Sequence, residues 1–134
     1  MKPKKLFSVK DSRGALCAVE ARKDVPFQIR RIFYIYENLD CLNRGYHAHY
    51  ETKQFLICLK GSCTVQLKDL QGNVTTSILN SPDIGLFQDK LVWGEMYDFS
   101  ADCIMLVLAS LEYRESDYIR SRKDFAALAE THGI

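Results

Sequence analysis

Short runs rich in β-branched and aromatic residues recur along the chain, each closed by turn residues, and this spacing predicts an all-β fold. The strands are read in "ALCAVEA", "QIRRIFYIY", "GYHAHY", "QFLICLKG", "CTVQLKD", "VTTSIL", "GLFQ", "VWGEMYDF" and "CIMLVLAS". Between them, "DLQGNV" with Gly72 and Asn73 and "NSPDIG" with Pro82 and Gly85 read as turns between antiparallel neighbours. Two runs, "QFLICL" and "CIMLVL", are apolar on both faces. That pattern predicts strands held between a packed interior and a second sheet or subunit, and hence an oligomer. After Leu111 the pattern changes: "EYRESDYIRSRKDFAALAE" interleaves charges with Tyr118, Ile119, Phe125 and Leu128, without Gly or Pro until Gly133. It predicts a helical tail. No repeat, low-complexity stretch or linker interrupts the chain, so residues 1–134 read as one domain.

Composition narrows the function classes. With 134 residues, 47% of them hydrophobic, the chain can bury a core as a single domain. Eighteen basic against seventeen acidic residues leave a formal charge of +1, which gives no broad reason to expect nucleic acid or an anionic membrane as partner. Any bound anion must be met locally. The basic "MKPKKLFSVK" is followed by "DSRG" instead of a long apolar segment, so neither a signal peptide nor a membrane span is read there, and the cytoplasm is the expected compartment. Cys17, Cys41, Cys58, Cys63 and Cys103 are an odd number without CxxC spacing. They are expected to be small buried hydrophobes.

The chemistry is concentrated in "RGYHAHYETKQFLICLKG", residues 44–61. Alternate side chains of a strand share a face, so His47 and His49 converge on one space while Ala48 points away. The order Gly45, His47-x-His49, four residues, Gln54, six residues, Gly61 resembles the first motif of the cupin superfamily. That resemblance implies a jelly-roll β-barrel. Metal-binding cupins commonly carry glutamate at the Gln54 position and a further histidine in a second motif. Here Gln54 is a neutral, weak ligand and "SPDIGLFQDKLVWGEMYDF" has no histidine. His132, near the C-terminus, is a poor substitute. No metal and no cofactor are expected, and the pair is read as serving proton transfer: two adjacent imidazoles disfavour double protonation, so one stays neutral and available as a base.

Together with "DSRGALCAVE", "IRRIFYIY", "SPDIGL", "VWGEMYDFS", "VLAS" and "DYIR", in that order, the stretch resembles the bacterial sugar 3,4-ketoisomerases. The resemblance covers nearly the whole length. It implies action on dTDP-4-keto-6-deoxyglucose in pathways to O-antigen and S-layer amino sugars, a homodimer with N-terminal strands exchanged between subunits, and movement of the carbonyl from C4 to C3. By this resemblance His47 and His49 are the catalytic pair, with His49 favoured as the base, and Arg13 and Arg44 meet the diphosphate, with Arg31 a further candidate. In "RIFYIY", Ile32, Tyr34 and Tyr36 share a strand face, and Tyr34 is chosen over Tyr36 as the phenol donor to the sugar oxygens. Gln54, Tyr36, Trp93 and Glu95 are the remaining candidates for the sugar pocket. Gly94 stands where relatives more often carry histidine or another large polar side chain, which leaves the face of reprotonation at C4 open. The rest of the chain favours the galacto product.

Two other functions are weighed. A related jelly-roll epimerase also removes a proton beside a ketone, but pairs its base histidine with an aspartate, and the HxH followed by Gln54 fits that poorly. A non-catalytic sugar-nucleotide-binding cupin would share the fold and leave the sugar unlabelled in heavy water.

Overall fold

The computed structural model describes residues 1–38 and 43–133. Two five-stranded antiparallel sheets face each other as a jelly roll. One has the order β1 (Lys4–Lys5), β9 (Ile84–Gln88), β6 (Gln54–Lys60), β11 (Ile104–Ala109), β4 (Arg31–Ile35). The other runs β12 (Tyr118–Ile119), β5 (Arg44–His49), β10 (Trp93–Tyr97), β7 (Cys63–Lys68), β8 (Val74–Leu79). The hairpin of β2 (Ser8–Asp11) and β3 (Gly14–Cys17) pairs only with itself. Among the described residues one α-helix, α1 (Arg122–Thr131), follows a 3-10 turn at Glu115–Asp117 and ends the fold.

Period-two alternation sorts side chains between the inside of the sandwich and its two outer faces. Leu56, Cys58, Val65, Leu67, Met105 and Val107 point inward and form the main core. On β6 and β11 the alternate residues Phe55, Ile57 and Leu108 are buried on the other side, against Leu6, Val25 and Phe27. The doubly apolar runs therefore are sandwiched, but by the chain's own N-terminal segment. Neither a second sheet nor a subunit is required there. On the opposite sheet, Ala48, Trp93 and Ile119 pack against Phe125 of α1.

The predicted helical tail is only partly helical. Ser121 caps α1 by accepting from the Asp124 amide. Before it, Tyr118 and Ile119 pair with His49 and Ala48 as a short strand. Burial of Ile119 beside Ala48 outweighs the local pattern. The cysteines divide: Cys58, Cys63 and Cys103 are buried and free, and burial pushes the last two thiols up to about 12. Cys17 is exposed, contrary to expectation, because it lies on the solvent-facing hairpin. Cys41 is outside the described residues. Among the described residues no helix is long and apolar enough to cross a membrane.

Candidate active site

One mouth of the sandwich encloses a cavity of about 270 Å³ lined from both sheets. Its floor is apolar, with Phe33, Ile35, Leu56, Val65, Met96 and Val107, and its polar groups include Arg44, His47, Gln54, Gln88 and Tyr118. Strand β5 reaches it through a distorted start: Gly45 and Tyr46 both have positive φ, and the pairing with β10 shifts register between Gly94 and Glu95. A side chain at Gly45 would stand 3.0 Å from the Gly94 carbonyl, so only glycine permits this close approach. The bend brings the Gly45 carbonyl to 2.9 Å from His47 Nδ1. A carbonyl only accepts, so Nδ1 carries the proton and neutral His47 keeps its lone pair on Nε2.

The two imidazoles meet edge to face, centroids 4.9 Å apart. They are not equivalent. His47 lines the cavity and is half-buried, whereas His49 is 2% exposed and its Nε2 has no hydrogen-bond partner. Burial lowers the pKa of both; His49 falls to about 4, with His47 beside it as the next cause. Arg31 and Arg120 push in the same direction. Both rings are thus neutral at pH 7. The geometry separates the two rings: His47 lines the cavity, and His49, the base favoured from sequence, is buried beside it.

The unfolded chain protonates His49 near 6.5, the folded chain only near 4, so between those values the unfolded state binds more protons and stability falls as pH falls. A urea midpoint should therefore drop between pH 7 and pH 5, and drop less in a variant lacking His49. An equal drop in that variant contradicts the burial.

Two further residues complete the site. Tyr118 lines the cavity with its ring 4.9 Å from that of His47 and 4.4 Å from that of His49, and Arg120 stacks on it at 4.3 Å. Arg120 is held by Glu115, whose carboxyl it lowers to about 2. Asp117 is buried and accepts from the amides of Glu51 and Thr52 at 2.8 and 3.3 Å, and from the Thr52 hydroxyl. It pins the turn that follows the histidines. Both residues belong to "DYIR", a motif noticed in the sequence without a role; Gln88, the polar end of an apolar run, was passed over.

The predicted site residues divide by strand face. Gln54 and Arg44 line the cavity with His47. Arg31 points inward above Phe33, its Nε buried without a partner, and influences both histidines without lining the cavity. Tyr34 contributes to the cavity wall, but Phe33 and Ile35 take the inner face of β4, leaving Tyr34 61% and Tyr36 56% exposed, stacked on each other at 5.9 Å. Trp93 lies on the outer face of β10, packed with Phe125, because Gly94 and Met96 occupy the inner face, while Glu95 borders the cavity. Trp93 Nε1 donates to Glu95 at 2.9 Å, and Glu95 also pairs with Arg122 of α1. Arg13 sits on the hairpin, bound to Asp11 at 2.7 Å and outside the cavity of its own chain. Among the described residues no cluster of three His, Cys, Asp or Glu side chains could hold a metal.

A jelly roll whose cavity is lined by an imidazole and two carboxamides over an apolar floor belongs to the cupin-like class. The chain belongs to the sugar 3,4-ketoisomerase family: the FdtA family (WxcM-like, C-terminal) matches residues 1–130. It is 50% identical over 116 residues to the TDP-4-oxo-6-deoxy-α-D-glucose-3,4-oxoisomerase of Aneurinibacillus thermoaerophilus, covering 86% of this chain and 82% of that protein. The crystal structure of a 3,4-ketoisomerase from Helicobacter canadensis superposes with a TM-score of 0.90 at 43% identity, over 96% of each chain. The sugar 3,4-ketoisomerase QdtA of Thermoanaerobacterium thermosaccharolyticum, solved with TDP, gives 0.92 at 38% identity over 99% of this chain and 96% of that one. The protein is an isomerase of this class.

Proposed function

We propose that the protein converts dTDP-4-keto-6-deoxyglucose to a dTDP-3-keto-6-deoxyhexose by metal-independent proton transfer, with His47 as the base at carbon. The observation that carries this reading is the neutral His47 with Nδ1–H donated to the Gly45 carbonyl and its lone pair left for the cavity. The C4 ketone acidifies the C3 proton. His47 removes it, the electron pair forms the enediolate, and a proton delivered to C4 while the C3 hydroxyl loses its own leaves the ketone at C3. Only proton positions change. The developing oxyanion needs a donor, and Tyr118, lining the cavity beside both histidines, takes the role expected of Tyr34. Arg44, which lines the cavity, suits the diphosphate, with Arg31 beside the histidines as a further candidate.

A homodimer with exchanged N-terminal hairpins fits the same account. An isolated two-stranded hairpin is marginal in water, yet every residue of β2 and β3 is exposed, including Val9 and Leu16. The edge strand β4 and the residue after it also present Ile32, Tyr34 and Tyr36 to solvent. Exposed apolar groups of this kind call for cover. A hairpin laid on a second copy would carry Arg13 to that copy's cavity. Cytoplasmic deoxyamino-sugar synthesis for O-antigen or S-layer glycans is the setting this reading implies.

Proton NMR of the reaction run in heavy water tests the function. Deuterium should enter at C4 as the ketone appears at C3, and activity should survive exhaustive chelation. A small H4–H5 coupling in the product made in ordinary water identifies the galacto epimer, which we favour. An unlabelled, unchanged sugar contradicts the reading.

A further inference from the structure

The inner face of β10 is empty of side chain at Gly94, which pairs directly with His47 across the sheet. The space above it is nevertheless filled. A Cβ built on Gly94 would lie 2.5 Å from Gln88 Nε2 and 3.1 Å from both Cδ and Oε1 of the same side chain. Gln88, at the inward end of β9, therefore lays its carboxamide over Gly94 and reaches the cavity beside His47. The amide is fixed there: Nε2 donates to the Val92 carbonyl at 3.1 Å. Its Oε1 makes no hydrogen bond among the described residues, although Gln88 is only 6% exposed. An acceptor with no protein partner, on a side chain that lines a cavity, is a position where a ligand's donor can bind. The neighbouring Gln54 pairs with Gln88 in register, so two carboxamides stand side by side above the apolar floor.

Resting on the ketoisomerase reading, we propose that Gln88 is a specificity-determining residue that accepts a hydrogen bond from a hydroxyl of the sugar ring, and that Gly94 is glycine because the Gln88 carboxamide occupies its side-chain space. Gln88 and Gly94 act as one unit: a side chain at either position excludes the other arrangement. The pocket beside His47 is therefore closed by an amide, not open as the glycine in "VWGEM" suggests when read alone.

The test is a double-mutant cycle on the full-length protein with the dTDP-4-keto-6-deoxy sugar and with TDP alone. Gln88→Leu keeps the bulk and removes the acceptor; Gly94→Ala keeps Gln88 but pushes its amide aside. Each should raise KM for the sugar nucleotide about tenfold, with TDP affinity within twofold of wild type and kcat affected less than KM. The double variant should be no worse than the poorer single one, since both remove the same contact. KM within twofold of wild type in both variants, or losses that multiply in the double variant, overturns the assignment. If Gln88→Leu fails to fold, Gly94→Ala decides alone, because its backbone is ordinary strand: a tenfold rise in KM supports the proposal and an unchanged KM refutes it. A wild-type protein that binds TDP without isomerising the sugar overturns the ketoisomerase reading and this proposal together, an outcome distinct from an active wild type whose variants behave normally.

Discussion

His47→Asn is expected to lower kcat by about 10²–10⁴ while leaving TDP affinity within a few-fold of wild type. Asparagine can still donate to the Gly45 carbonyl that His47 Nδ1 meets, so the bend at the start of β5 should persist. What disappears is the lone pair facing the cavity. His49→Asn should cost at least tenfold less in kcat, because that ring is buried behind His47 and does not line the cavity. Steady-state kinetics on the two variants, with TDP binding by calorimetry as the control, separates the roles. Equal losses in both, or a larger loss at His49, would restore the order expected from sequence.

The second large effect concerns Arg13. In its own chain it is tied to Asp11 on an exposed hairpin, apart from the cavity. If the hairpin serves the partner's site, Arg13→Ala and His47→Asn homodimers should each be impaired, yet mixing them with subunit exchange should recover activity. A hybrid dimer then has one cavity with both defects and one with neither. In an equimolar mixture about half the dimers are hybrids, so about a quarter of the wild-type sites return. An Arg13 that acts within its own chain leaves every hybrid cavity with one defect, and the mixture shows only the mean of its parents. Recovery requires the dimer, so a monomer by sedimentation contradicts the same point.

The strand pattern is readable because burial on one face imposes period two, and eight of the nine runs read in the sequence lie in the two packed sheets. The histidine pair was legible for the same reason, with Ala48 buried on the far side against Trp93 and Ile119. Periodicity does not say which face is the inside. Tyr34 and Tyr36 share a face, but the inner one belongs to Arg31, Phe33 and Ile35; Trp93 faces outward against Phe125 in the same way, while Glu95 still borders the cavity. Tyr118 and Asp117 were hidden in a segment whose local pattern is helical and whose conformation is decided by pairing with β5, far away in sequence. The tie between Gln88 and Gly94 is a contact between side-chain volumes, which a linear pattern does not encode. The order of the two histidines depends on burial and on the Gly45 bend, not on their spacing.

The proposed catalysis rests on one event, removal of the C3 proton by neutral His47. Its most direct measurement is the rate at which solvent deuterium appears in the hexose ring, followed by proton NMR for wild type, His47→Asn and His49→Asn under identical, TDP-saturable conditions. The expected result is rapid labelling by wild type, measurable labelling by His49→Asn and none above background by His47→Asn. Labelling by His47→Asn at the wild-type rate would contradict it.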